Sequence, residues 1–206
     1  MATDTTDTTD TAGTADWREC RVELPAPHNW LVLDLATEDP ESWARSLAAE
    51  HLAEDSRPEL YDAFATDVLW YWGAARRQRA LCASLLAPPD SAVVASYTVR
   101  EVRIPPEVST PAALRAEVAR AEGPFFGTQL LEEVELPLGP ALRVQRMEPT
   151  APASGSGEIV EGVAHYVLPG RFPGTALECR LLWSSLGLGE ALAKMADELA
   201  ESLRLT

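Results

Sequence analysis

Residues 176–205, ALECRLLWSSLGLGEALAKMADELAESLRL, place a strand and a helix end to end. Around Cys179 the segment LECRLL alternates apolar and charged residues, the period-two pattern of a strand with one apolar face. Further on, Leu188, Leu192, Met195, Leu199 and Leu203 fall in one narrow stripe, with Glu190, Asp197 and Glu201 opposite. That spacing is the signature of an amphipathic helix whose stripe belongs to the core. Ser184 or Ser185 is placed to cap it.

The same alternation recurs upstream. EIVEGVAHYVL reads as the strand before ALECRLLW, and LLEEVEL with ALRVQRM as a hairpin across Pro137-Leu138-Gly139-Pro140. ALCASLLA and SAVVASYTVREVRI form another hairpin, joined by Pro88-Pro89-Asp90. WRECRVEL and WLVLDL, separated by PAPHN, read as an opening hairpin. Between the hairpins lie helices. Asp39-Pro40 starts one with Trp43, Leu47 and His51 inside. Ser56-Arg57-Pro58-Glu59 is a capping box opening a second that runs to about Arg76. Ser109-Thr110-Pro111 begins a third, ending near Arg120. The expected fold class is α+β: an antiparallel sheet built from successive hairpins and flanked by helices. Residues 1–16, all Thr, Asp, Ala and Gly after the first Met, form an expected disordered tail. Residues 17–206 then form a single domain, with a flexible loop at 149–158, PTAPASGSGE.

The chain has 206 residues and a net charge of −15, which argues against nucleic acid and anionic membrane as partners. Lysine occurs once, at Lys194, against an abundance of arginine, the bias of a GC-rich, actinobacterium-like genome. Cys20, Cys82 and Cys179 form no CxxC, so they read as buried free thiols in a reducing cytoplasm. The start lacks a basic and apolar leader, and no apolar run approaches a membrane span. A cytoplasmic location is expected.

Motifs for chemistry fail one by one. LLWSSLGLGEAL lacks the third glycine of a dinucleotide fingerprint. Trp183 stands where a nucleophile elbow at Ser185 needs glycine. Glu50, His51, Glu54 and Asp55 share helical spacing, yet His51 and Asp55 offer two metal ligands and no more. His28 and His165 show no pairing with a nucleophile or a carboxylate. No catalytic, cofactor or metal residue is therefore assigned. Contact residues are more legible. In DVLWYWGAARRQRALC, residues 67–82, helical geometry puts Leu60, Phe64, Val68, Tyr71 and Ala75 on a core face. Trp72 falls at its edge, largely buried, and Trp70 is turned away beside Ala63 and Ala74. Arg76, Arg77 and Arg79 suit the helix C-terminus. Phe125 and Phe126 sit in a Gly/Pro-bounded loop, plugging the core or meeting a partner. Trp70, Phe125 and Phe126 are the candidate partner contacts.

With VELPAPHNWLVLDL near one end and ALECRLLWSSLGLGEALAKMADELAESLRL at the other, residues 17–206 resemble the PsbP/Mog1-like fold. The resemblance implies an antiparallel sheet between helices, with an early strand, a proline turn into a tryptophan, and a terminal helix. It also implies an accessory or binding protein, since that family holds photosystem assembly factors, a small-GTPase binder and exported lipoproteins. No family residue set maps onto this chain, and the missing leader sets it apart from the exported branch. The expected function is a non-catalytic adaptor or chaperone that binds another protein. The alternative is a small-molecule-binding domain or cryptic hydrolase using a pocket between sheet and helices, a reading that convergence of His165, Tyr166 and Ser184 would favour.

Overall fold

The computed structural model describes residues 20–53, 56–121, 123–150, 158–168 and 174–205. The expected tail and residues 151–157 of the expected loop lie outside that set. The chain runs β1 (Cys20–Arg21), β2 (Trp30–Val32), α1 (Pro40–His51), α2 (Pro58–Arg77), β3 (Cys82–Leu86) and β4 (Ala95–Arg103). It continues through α3 (Pro111–Arg120), β5 (Phe126–Leu136), β6 (Gly139–Thr150), β7 (Glu158–Val167), β8 (Thr175–Trp183), α4 (Gly189–Ser202) and β9 (Arg204–Leu205). Among the described residues, one antiparallel sheet has the order β2-β3-β4-β8-β7-β6-β5, and β1 pairs with β9 apart from it. This is an α+β fold with helices on both faces of the sheet.

Neighbours in sequence mostly pair, as hairpins do: β3 with β4, β5 with β6, β6 with β7, β7 with β8. The two halves join where β8 lies against β4, from Ala95↔Trp183 to Arg103↔Thr175. Successive side chains point to opposite faces, so this register settles what each helix covers. Tyr97, Val99, Val163, Leu177, Cys179, Leu181 and Trp183 share a core with Leu192, Ala196, Leu199 and Leu203 from α4. On the other face, α1 and α2 pack Ala44, Ala48, Phe64, Val68 and Ala75 against Ala83 and Leu85 of β3. Farther along that face, Leu114 of α3 meets Leu142, Val144 and Ala176.

Helix starts obey local rules where a cap residue is free to turn inward. Asp39 accepts from Ser42 N at 3.1 Å and Thr110 from Ala113 N at 3.2 Å, each followed by proline at the first helical position. At α2 the expected capping box does not form. Ser56 spends its backbone N–H on Ala53 O at 2.9 Å, so Arg57 becomes the cap and contributes no side-chain bond. Leu60, expected inside, lies in that first turn and is 45% exposed.

The opening hairpin is also corrected. β1 pairs with β9, and β2 pairs with β3 through Trp30↔Leu86 to Val32↔Ser84. Pro25 and Pro27 offer no N–H to a ladder. The linker instead coils through a 3-10 turn at Pro27–Asn29, after Ala26 in the left-handed region at φ 46°. Trp30 Nε1 donates to Pro25 O at 2.8 Å and pins the coil. Val22 and Leu24 then turn onto the α4 side of the core. β6 and β7 stay paired as far as Thr150↔Glu158, so Pro149, Thr150 and Glu158 at the ends of the expected loop are strand residues.

Candidate functional site

The α4 face of the sheet is covered unevenly. α4 packs on β7 and β8. Beyond its first turn, the register carries a row from Phe126 on β5 to Met147 on β6, Glu161 on β7 and Trp183 on β8. Leu130 lies opposite Gln145 and Ile159 opposite Pro149, on this same face. Glu161 reaches the start of α4, since a Cβ added to Gly189 would stand 2.8 Å from Glu161 Oε2. Leu186 and Leu188, in the 3-10 turn leading into α4, therefore adjoin the row. Phe126, Leu130, Ile159, Leu186 and Leu188 are exposed, from 44% for Leu188 to 52% for Leu186. Leu188 thus leaves the buried stripe in which the sequence placed it. Neither Ser184 nor Ser185 caps α4; its N-terminus faces the Glu161 carboxylate, which Gln145 Nε2 holds at 2.8 Å. Together these side chains form an apolar patch with an acidic rim of Glu132, Glu161 and Glu190.

The candidate contacts separate. Phe126 opens β5 and belongs to the patch, while Phe125 is half-buried. Trp70 lies across the sheet on the wall of a cavity under α2, its ring 4.8 Å from that of Tyr71 at 86°. Trp72 is half-buried rather than largely buried, because its indole leans over the loop after β2 and donates to Asp34 O at 2.8 Å. Arg76 stacks over that ring at 5.4 Å and donates to Leu35 O at 2.6 Å, clamping the same loop.

His165 does have a carboxylate partner, which the sequence did not reveal. Its Nε2 lies 3.0 Å from Asp197 Oδ1, and Arg143 Nε donates to the same oxygen at 2.7 Å. Asp197 reaches down from α4, while Arg143, His165 and Cys179 stand opposite one another on β6, β7 and β8. Burial alone would push the Asp197 carboxyl up, but the bonds from His165 and Arg143 outweigh it and hold the carboxyl below its ordinary range. With His165 and Cys179 buried beneath α4, this cluster docks the helix. His165, Tyr166 and Ser184, whose convergence would favour the alternative reading, do not converge, for a geometric reason. Adjacent strand residues face opposite ways, so Tyr166 turns from His165 towards the other face, where it borders a small cavity beside Arg146 and Arg180. Ser184 lines the larger cavity under α2.

That larger cavity, about 380 Å³, lies between α2 and the sheet. Trp70, Tyr71 and Ala74 form its helix side, and Leu85, Val160 and Leu182 supply apolar lining from the strands. Its charged groups are Asp67 from α2 and Arg180 and Glu148 from the sheet. Arg180 contacts Glu148, and Arg146 Nε bonds that same carboxylate at 3.1 Å. Next along β8, Glu178 is buried against Arg100. That bond raises the Arg100 pKa further, while burial and the Glu178 charge raise that of Tyr166. Arg180 moves the other way: burial, then the charges of Arg146 and Arg100, bring it down to about 10. Among the described residues no cluster of three or more His, Cys, Asp or Glu is placed to hold a metal, and no helix is long and apolar enough to cross a membrane. Of the sequence's metal candidates, His51 is engaged with Ser91 O at 3.0 Å and stacks on Phe64, and Asp55 lies outside the described residues.

No family model matches the chain, and no curated protein matches it. Among solved structures, the crystal structure of LpqN, involved in cell envelope biogenesis of Mycobacterium tuberculosis, aligns with a TM-score of 0.45 at 13% identity. The alignment covers 91% of this chain and 84% of that one.

Proposed function

We propose that this protein is an accessory protein of the PsbP/Mog1-like kind that works by binding another protein. The observation that carries the reading is the apolar patch of Phe126, Leu130, Ile159, Leu186 and Leu188, gathered at one end of the sheet where α4 begins. Scattered apolar side chains are ordinary on a surface, whereas a contiguous group with a polar rim is characteristic of contact sites. The rim here is acidic, and the chain carries −15. A second copy would bring like charge against it, while a basic amphipathic segment would meet it with opposite charge. Such a segment, laid beside α4, would extend the helix layer over the bare ends of β5, β6 and β7.

The test compares proteins retained from the native host by wild type, by a Phe126→Ser/Leu130→Ser double variant, and by Val32→Ser. Val32 is an exposed apolar residue on β2, remote from the patch. A partner retained by wild type and Val32→Ser but lost by the double variant, with circular dichroism unchanged, supports the reading. A partner held equally by all three refutes it.

A further inference from the structure

We propose that the cavity between α2 and the sheet binds a small neutral phenol, its ring held against Trp70 and Tyr71 and its hydroxyl by those of Ser96 and Thr98. This site lies on the opposite face of the sheet from the apolar patch and does not depend on it. Folded interiors leave few voids larger than a water molecule, and ligand cavities begin at roughly 300 Å³, so about 380 Å³ is room for a small ligand. Leu85, Leu182 and Val160 on the floor face Trp70 and Tyr71, whose rings stand edge to face and offer a flat guest an aromatic wall. Ala74, about one turn further along α2, leaves the space beside that wall open.

The hydroxyls select the chemistry. Ser96 lies opposite Leu85 and Leu182, and Thr98 opposite Ala83 and Arg180, so the register turns both side chains to the cavity side of the sheet. Ser96 is 8% exposed, and among the described residues neither hydroxyl forms a hydrogen bond. A buried hydroxyl without a partner is destabilising, so one that borders a cavity is satisfied by what enters it. A phenol O–H both donates and accepts, as these hydroxyls do. Charge works against the ionised relatives. Arg180 is taken up by Glu148, and Asp67 adds a carboxylate from the helix side, so an acid would meet two like charges. Thr98 stands directly opposite Arg180, so an ammonium held at the hydroxyls would lie beside a guanidinium.

The test titrates the full chain with p-cresol, and with toluene, 4-methylbenzoate and 4-methylbenzylamine, which keep the ring and change only the polar group. Binding is followed by calorimetry and by the Trp70 indole and Thr98 methyl signals in NMR. p-Cresol is expected to move both signals and to bind about fivefold or more tightly than toluene, the worth of one net hydrogen bond, with the acid and the amine weaker than p-cresol. The Ser96→Ala/Thr98→Val double variant should bring p-cresol down to the affinity of toluene and leave toluene unchanged. Ala74→Leu, which fills the cavity, should abolish binding of both. Where one of these variants fails to fold by circular dichroism, the other decides. A cavity that takes up no p-cresol, toluene, acid or amine bound as tightly as p-cresol, or full p-cresol affinity in either folded variant overturns the proposal.

Discussion

Replacing Asp197 by alanine tests whether the polar cluster under α4 holds that helix in place. The substitution leaves Arg143 and His165 without the oxygen they share, at 2.7 Å and 3.0 Å. His165 is 2% exposed, and Arg143 keeps Glu132 at 3.3 Å and Gln145 at 3.2 Å. Removing one partner of a fully buried ion pair costs about 3–5 kcal/mol. The Asp197 side chain is 39% exposed, so water reaches the vacancy, and Arg143 retains other acceptors. These facts lower the expected loss to about 2–3 kcal/mol, or roughly 5–10 °C in melting temperature for a chain of this size. Urea unfolding followed by tryptophan fluorescence measures it. The pH dependence adds a second constraint. Asp197 has a native pKa below its unfolded value of about 3.9, so its contribution is complete above that value and disappears as pH falls through the lower native one. The gap between wild type and Asp197→Asn should therefore be flat from neutral pH down to about 5 and should narrow below about 4. A loss within about 0.5 kcal/mol for Asp197→Ala, the level of an ordinary surface change, would refute the anchoring role. A gap that stays constant into strong acid would refute its charge-based cause.

Two further outcomes follow from close contacts. At Gly162, an added Cβ would stand 2.4 Å from Leu182 Cδ2 and 3.1 Å from Leu181 O, so Gly162→Ala should destabilise by about 1–3 kcal/mol in urea unfolding. A neutral or stabilised variant would show that Leu182 moves aside freely. Trp72→Phe deletes the indole bond to Asp34 O while keeping an aromatic ring under Arg76, and should cost about 1 kcal/mol, against about 3 kcal/mol or more for Trp72→Ala. Equal losses for the two would assign the contribution to the hydrogen bond alone.

Most elements were legible because their signals are local. Asp39-Pro40 and Thr110-Pro111 announce helix starts, and alternation around Cys179 announces a strand. Pairing by hairpins was legible wherever a short turn joined the strands, as at Pro137-Leu138-Gly139-Pro140. It failed for Trp30–Val32, whose partner β3 follows two intervening helices. The same limit hid the polar cluster. Asp197 lay in plain view on the outer side of a helical stripe, but its meeting with His165 depends on how α4 crosses the sheet, which periodicity does not encode. Leu188 misled because its spacing fits the stripe although the helix begins one residue later. The cavity under α2 was foreshadowed only by the small residues near Trp70. Its charged floor comes from β6 and β8, held one strand apart by β7, and no local pattern records that.

The seam between β4 and β8 also governs the order of assembly. β4 takes β3 on one side and β8 on the other, yet about seventy residues separate its end from the start of β8. During synthesis the β4 edge waits bare, its Tyr97 and Val99 without the α4 layer that later covers them. Contacts this distant in sequence are slow to form, and an unfilled strand edge is the surface on which nascent chains associate wrongly. Release of residues 175–202 from the ribosome is then the step that closes the sheet and seals its core together, so a chain truncated before β8 should collect in aggregates rather than as a smaller folded unit.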